Sequence, residues 1–277
     1  MKMSAYVLPV LVLSMTGLAF GTTTAETTTN TTAASAQAKT AEEILGRYVE
    51  ALGGEAKYRA ITSRYVEGVV ENVKTKIKSR LTAWQKAPNQ IRIELETPAL
   101  NTFDQTYDGT IGWMKDVRNV KILDGDELAV LKESGDFYTE IEWKRKYTKM
   151  EVLPDAPFDG KNSNVVKVTT TSGKVQTQYF DITTGLLAGY QEDAAVVTTT
   201  KKPTITIVGD YKDFDGIKYA TRYVQRSGDS ELITIYRTVQ MNPPMTMDFS
   251  MPPEVKAAID EAKKAESAPA SPATPKK

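Results

Sequence analysis

Short runs in which apolar and polar residues alternate, separated by glycine-containing turn pairs, constrain this chain more than any other feature. Ile91, Ile93 and Leu95 alternate with Arg92, Glu94 and Glu96, which is a strand with one buried and one wet face. Lys76 to Trp84 behaves similarly, and Pro88-Asn89 turns the chain between the two runs. Further β-rich runs lie at 65–73, 111–115, 119–123, 165–171, 175–181, 186–191, 204–211, 217–225 and 232–241. Asp108-Gly109, Ser172-Gly173, Thr184-Gly185, Asp215-Gly216 and Gly228-Asp229 sit between them, and such pairs tolerate the positive φ of tight hairpin turns. Strands joined by turns this short pair antiparallel, because parallel neighbours need long crossovers.

Helical signals are few. Thr40-Ala-Glu-Glu43 fits a capping box. Ile44, Leu45, Tyr48, Val49 and Leu52 then form one apolar stripe, and Gly53-Gly54 stops the helix. A second short helix is expected over 55–60, an internal one over 126–133 and a last one over 253–264. The span 126–147 is the least regular of the domain. These elements predict an α+β, mainly antiparallel β domain: a curved sheet or incomplete β-barrel covered by two or three helices.

The ends of the chain read differently. Met1-Lys2 followed by the apolar run 5–20, then small residues, matches a secretory signal peptide over 1–21, with cleavage before Thr22 or Glu26. The run is too short for a comfortable membrane span, which takes about 20 apolar residues. Residues 22–39, rich in Thr, Ala and Ser, predict a disordered leader, and 265–277 a disordered tail, since neither can bury enough apolar surface to offset ordering. The folded domain is then 40–264. The expected address is the periplasm, as a protein that is not integral to the membrane after cleavage.

Composition narrows the chemistry. Basic and acidic residues balance at 35 each and form no basic stripe, so a nucleic-acid partner is not expected. Cysteine and histidine are both absent. Disulfides, lipid attachment through a cysteine of this chain, Ser-His-Asp triads and zinc sites built on His or Cys are therefore impossible within it. Asp210, Asp213, Asp215 and Gly216 do not follow the calcium-loop spacing and read as a solvated hairpin turn. Gly53-Gly54 lacks the phosphate-loop spacing. No carboxylate pair is singled out for glycosidic chemistry. The expectation is a protein that is not an enzyme, without metal or cofactor.

Several segments, taken in order, resemble the periplasmic lipoprotein-carrier superfamily, the LolA/LolB-like proteins. The amphipathic helix 44–54 precedes the first strand. Trp84-Gln-Lys-Ala-Pro-Asn-Gln-Ile-Arg-Ile93 is similar to the carrier's strand, proline turn and next strand. Tyr107-Asp-Gly-Thr-Ile-Gly-Trp113 is similar to its Asp-Gly hairpin. Asn119 to Leu123 and the helical 126–133 follow, then Tyr179 to Leu187, then Phe249-Ser-Met-Pro-Pro253. The resemblance implies an incomplete barrel with a helical lid around an apolar cavity that accepts lipid or the acyl chains of lipoproteins, in outer-membrane lipoprotein sorting. Carriers of the best-known type latch the lid with an arginine just before the turn proline; here Ala87 stands there. Trp84, Ile91, Ile93, Tyr107 and Trp113 are the candidate ligand-binding residues. The alternative is a structural or protein-interaction domain of the cell envelope with no lipid ligand.

Overall fold

The computed structural model describes residues 39–98, 102–116, 119–192, 203–244 and 246–267. The expected signal peptide lies outside them, as do nearly all of the leader and most of the tail.

The chain opens with helices α1 (Ala41–Leu52) and α2 (Glu55–Arg59). Six strands follow: β1 (Ser63–Asn72), β2 (Lys78–Lys86), β3 (Gln90–Glu96), β4 (Phe103–Tyr107), β5 (Gly112–Lys115) and β6 (Val120–Ile122). Helices α3 (Gly125–Gly135) and α4 (Trp143–Lys146) come next. Seven more strands complete the sheet: β7 (Tyr147–Phe158), β8 (Lys161–Thr170), β9 (Val175–Asp181), β10 (Leu187–Glu192), β11 (Thr204–Phe214), β12 (Ile217–Ser227) and β13 (Ser230–Met241). Helix α5 (Pro253–Ser267) is last, and reaches three residues into the span read as tail.

All thirteen strands form one open antiparallel sheet in the order β6-β5-β4-β3-β2-β1-β13-β12-β11-β10-β9-β8-β7. Each half is a meander in which sequence neighbours pair, and β1–β13 is the seam. The two edges, β6 and β7, are consecutive in the chain. The stretch from α3 to α4 therefore has to run from one edge of the sheet to the other.

Local chemistry explains the elements that the alternation predicts. The Thr40 hydroxyl accepts from the Glu43 N–H at 3.2 Å, and the Glu43 carboxylate accepts from the Thr40 N–H at 2.7 Å, so the capping box forms. Gly53 at φ 124° lets two backbone N–H groups return to Glu50 and Val49, closing the helix. Asp108 accepts from the N–H groups of Thr110 and Ile111, with Gly109 at φ 101°. Asp213 accepts from the Gly216 N–H in the turn between β11 and β12.

Two strands escape the sequence reading. Strand β4 is short and polar. Strand β7 carries Pro154 and Pro157 and is exposed along most of its length; it is an edge strand, where a missing N–H is tolerated.

Strand pairing sorts side chains by face, since residues directly opposite one another share a side. The concave face carries Arg64, Val66, Leu81, Ala83, Gln85, Ile91, Ile93 and Tyr107 from the first half. Val166, Val168, Gln176, Gln178, Tyr190, Thr206 and Tyr223 lie on it in the second. Helix α1 packs Ile44, Leu45, Tyr48 and Leu52 with Val166, Val168 and Phe180. Helix α3 packs Leu131 with Ile91, Ile93 and Tyr107. Helix α5 does not share the concave side with α1 and α3. It lies by β6 on the convex side, where Lys115 pairs with Glu254 and Arg92 donates to the Met247 sulfur.

The seam tolerates no excess volume. Its register shifts at Glu67/Gly68, and a Cβ at Gly68 would lie 2.2 Å from the Ile235 carbonyl oxygen. Gly68→Ala is expected to destabilise the domain by about 1–3 kcal/mol, as overpacking does, read as a lower urea midpoint. The crossing stretch is tied to the second half of the sheet by an ion pair between Glu133 of α3 and Lys174, whose side chains are 16% and 7% exposed. Glu133→Gln should cost roughly 3 kcal/mol by leaving a buried ammonium without its partner. Adding Lys174→Met to a Glu133→Leu chain should recover most of that loss in the same denaturation assay.

Candidate functional site

The stretch between α3 and α4 closes over the concave face through polar contacts to both halves. On the first half, the Gln85 amide donates to the Ser134 carbonyl at 2.9 Å, and the Phe137 N–H donates to the Pro88 carbonyl at 3.1 Å. The Tyr138 hydroxyl donates to the Ile61 carbonyl at 3.0 Å. On the second half, the Thr171 N–H donates to the Lys146 carbonyl at 2.9 Å, beside the Glu133–Lys174 pair. Ala87 precedes a cis peptide to Pro88 and carries no polar side chain. The arginine that reaches this stretch comes instead from β1. Arg64 has its guanidinium 5.0 Å from the Phe137 ring and 4.7 Å from the Tyr219 ring, between the crossing stretch and the sheet. Its Nε donates to Gln85 at 2.8 Å and its Nη1 to the Tyr58 hydroxyl at 3.4 Å.

Beneath this closure lies a cavity of about 120 Å³. At the ~30 Å³ that each water takes up in the liquid, it has room for roughly four waters or a group of that size. Leu45, Leu52, Phe180, Leu187, Val208 and Ala220 supply apolar wall. Eight tyrosines line it as well: Tyr48, Tyr58, Tyr147, Tyr190, Tyr211, Tyr219, Tyr223 and Tyr236. Arg64, Gln85, Glu140, Lys146, Gln176 and Gln178 add charge and amide groups. The lining is thus aromatic and polar, where the family resemblance implies an apolar cavity. Asp136 and Lys146 also border an open groove of about 630 Å³ between the crossing stretch and the β8–β9 turn. Lys132, Arg145 and Lys174 stand along the groove.

The five sequence candidates fall in three places, and none lines this cavity. Ile91 and Ile93 are packed on the concave face under α3, 0% and 4% exposed, in a filled cluster. Tyr107 shares that face but borders the open groove, its hydroxyl donating to the Gly109 carbonyl at 2.9 Å. Trp84 and Trp113 point to the convex side, in line with Arg92 and Thr106. There Trp84 packs on Tyr65 at 5.4 Å between ring centroids, and Trp113 is buried near β6 and α5. The strand alternation carries both tryptophans away from the concave side; β2 presents Ala83 and Gln85 to it instead.

The residues that do form the cavity carried a weaker signal. Tyr219 and Tyr223 are four apart on one strand and Tyr236 joins them from the next, with centroids 6.2 and 5.7 Å from those two rings. Arg64 stands in phase with Val66, a charged residue at an inward position. Glu140 lies in the irregular stretch, where no periodicity points.

Burial sets the titration of this cavity. It holds Tyr48, Tyr58, Tyr190, Tyr211, Tyr219, Tyr223 and Tyr236 above the ordinary tyrosine value of 10.0. The Glu140 carboxylate adds to the rise at Tyr48, Tyr58, Tyr211, Tyr219 and Tyr223. A group whose folded pKa is raised contributes stability that is present below its unfolded pKa and lost as pH rises through the folded one. Denaturation at increasing pH should therefore show stability falling from about pH 10 upward. The fall should be steeper than one tyrosine gives. The tyrosinate absorbance of these seven residues should appear with unfolding rather than before it, and Tyr223→Phe should make the decline shallower.

Among the described residues no cluster of three acidic side chains could hold a metal ion, and no helix is long and apolar enough to cross a membrane. No protein-family model matches the chain, and no curated protein matches it by sequence. Solved structures do match. A LolA superfamily protein from Nitrosomonas europaea aligns with a TM-score of 0.54 at 10% identity, over 77% of this chain and 99% of that one. A DUF1329 family protein from Desulfovibrio piger aligns with a TM-score of 0.52 at 9% identity, over 74% and 94%. A domain described as an outer-membrane lipoprotein-sorting protein, from Vibrio parahaemolyticus, aligns with a TM-score of 0.50 at 12% identity, over 74% and 97%. The open antiparallel sheet, the helical crossing over its concave face and these alignments over about three quarters of this chain agree: the chain has the same fold as these three structures.

Proposed function

We propose that this chain is an exported, non-enzymatic binding protein that takes up a lipid, or the acyl chain of a lipoprotein, between its sheet and its crossing helices. A role in lipoprotein sorting at the outer membrane follows from that reading. The observation that carries it is the cavity itself. It sits between the concave sheet and the crossing stretch, has ring faces and aliphatic wall for apolar contact, and holds a few convergent polar groups for orientation. Each methylene desolvated there would contribute about 0.8 kcal/mol. The polar share of the lining favours an amphiphile over a plain hydrocarbon. At about 120 Å³ the cavity takes a short chain or one end of a longer one, with the rest lying in the adjoining groove.

A second reading, a structural or protein-interaction domain of the envelope, is favoured by one observation. The concave face under α3, with Ile91 and Ile93 at its centre, is filled rather than hollow.

Native mass spectrometry of gently purified protein, together with titration of a fluorescent short-chain fatty acid, separates the two. Binding of one amphiphile per chain is expected. Leu187→Trp, which places an indole into the cavity wall, should weaken that binding at least about tenfold. Protein that is ligand-free and also fails to bind the probe would leave the interaction-domain reading.

A further inference from the structure

Two opposite charges face the cavity without pairing. Arg64 is 4% exposed, and among the described residues no carboxylate lies within ion-pair distance of it. Its hydrogen-bond partners are the neutral Gln85 and Tyr58. Glu140 lines the same cavity, and its Oε2 is buried with no hydrogen-bond partner. Burying a charge is costly unless a counter-charge or a full set of hydrogen bonds meets it. Glu140 attracts Arg64 and the neighbouring Lys146 ammonium across the cavity, but Lys146 donates to the Thr139 hydroxyl and neither cation bonds the Glu140 Oε2 directly.

From this geometry we propose that the cavity binds a zwitterionic group, an ammonium joined through a few bonds to a phosphate or carboxylate. The proposal rests on the reading of the cavity as an amphiphile site and names the head group that the site selects. The ligand's anion meets the planar guanidinium of Arg64. Stacking between Phe137 and Tyr219 holds that guanidinium in place, so its N–H edge is pre-oriented for a phosphate or carboxylate. The ligand's ammonium meets the Glu140 carboxylate. Tyr48, Tyr58, Tyr211, Tyr219 and Tyr223 line the same cavity as that carboxylate, and aromatic faces attract an ammonium in a desolvated site. A metal ion does not fit in place of the ammonium, because the described residues gather no acidic cluster there. An anion alone would satisfy Arg64 and leave Glu140 unmet; a simple amine would do the reverse.

The source is either the head group of a lipid or a free small zwitterion, and calorimetric titration distinguishes them. The probes are dihexanoyl phosphatidylethanolamine, dihexanoyl phosphatidylglycerol and free phosphoethanolamine. The two lipids share their chains and phosphate and differ in the ammonium. The expected result is binding of the ethanolamine lipid about tenfold tighter than the glycerol lipid, the worth of one desolvated cation contact. Glu140→Gln should bring the two affinities together, while Glu140→Asp, which keeps the charge, should retain part of the preference. Equal affinities in the unaltered protein would overturn the proposal, as would a preference that survives Glu140→Gln. Equal affinities would still leave the amphiphile reading standing. Binding of phosphoethanolamine with neither lipid would keep the zwitterion site and overturn the amphiphile reading. Binding of none of the three would overturn both. The comparison of probes on the unaltered chain decides the matter even where a variant folds poorly.

Discussion

The pairing of β1 with β13 is the constraint on which the rest of the molecule depends. It joins two meanders into one sheet and puts the ends of the strand-forming region at its centre. The strands consecutive at β6 and β7 are thereby driven to opposite edges. The connection between them has one short route, across the concave face. What would otherwise be an ordinary loop becomes the cover of the sheet. A single register shift at Gly68, where the backbones approach too closely for a side chain, lets that seam form.

The cover is held by directional polar contacts as well as by the buried Leu131, Phe137, Ile141 and Trp143. Gln85, Pro88 and Ile61 receive it from one half of the sheet; Thr171 and Lys174 receive it from the other. Arg64 adds a guanidinium stacked between a ring of the cover and a ring of the sheet. Such contacts depend on geometry, and they leave the concave face beneath α4 incompletely filled. Under α3 the same face is packed solid by Ile91, Ile93, Leu131 and their neighbours. One surface thus serves as core at one end and as cavity wall at the other. The difference lies in what the cover offers: a helix with Leu128 and Leu131 at one end, and an irregular turn bearing Thr139, Glu140 and Trp143 at the other.

The convex face has its own cover. Helix α5 and the segment before it lie near β5 and β6, and Trp113 is buried on that side. This explains why an aromatic residue beside a turn can be fully buried without lining a ligand site. Burial and aromaticity mark a packed residue; only the face it occupies tells which space it borders.

Sequence alone determined the strands with clean alternation, the turns with Asp-Gly and related pairs, the capping box at Thr40 and the open antiparallel class, because these depend on contacts within a few residues. It missed β7, whose prolines and exposure suit only an edge, and it did not place α5 on the convex side, because edge position and sheet side are properties of the assembled sheet. It also excluded histidine and cysteine chemistry outright, since the residues are absent. The cavity was decided by tertiary structure. Arg64, Glu140 and the tyrosines come from β1, the irregular crossing, α1, α2 and the second meander, and they meet only once β1 pairs with β13. Trp84 and Trp113 are as aromatic as any residue in the cavity, yet a strand's two faces differ by one residue of phase. Phase relative to the core is set by pairing across the sheet, which no short stretch of sequence carries.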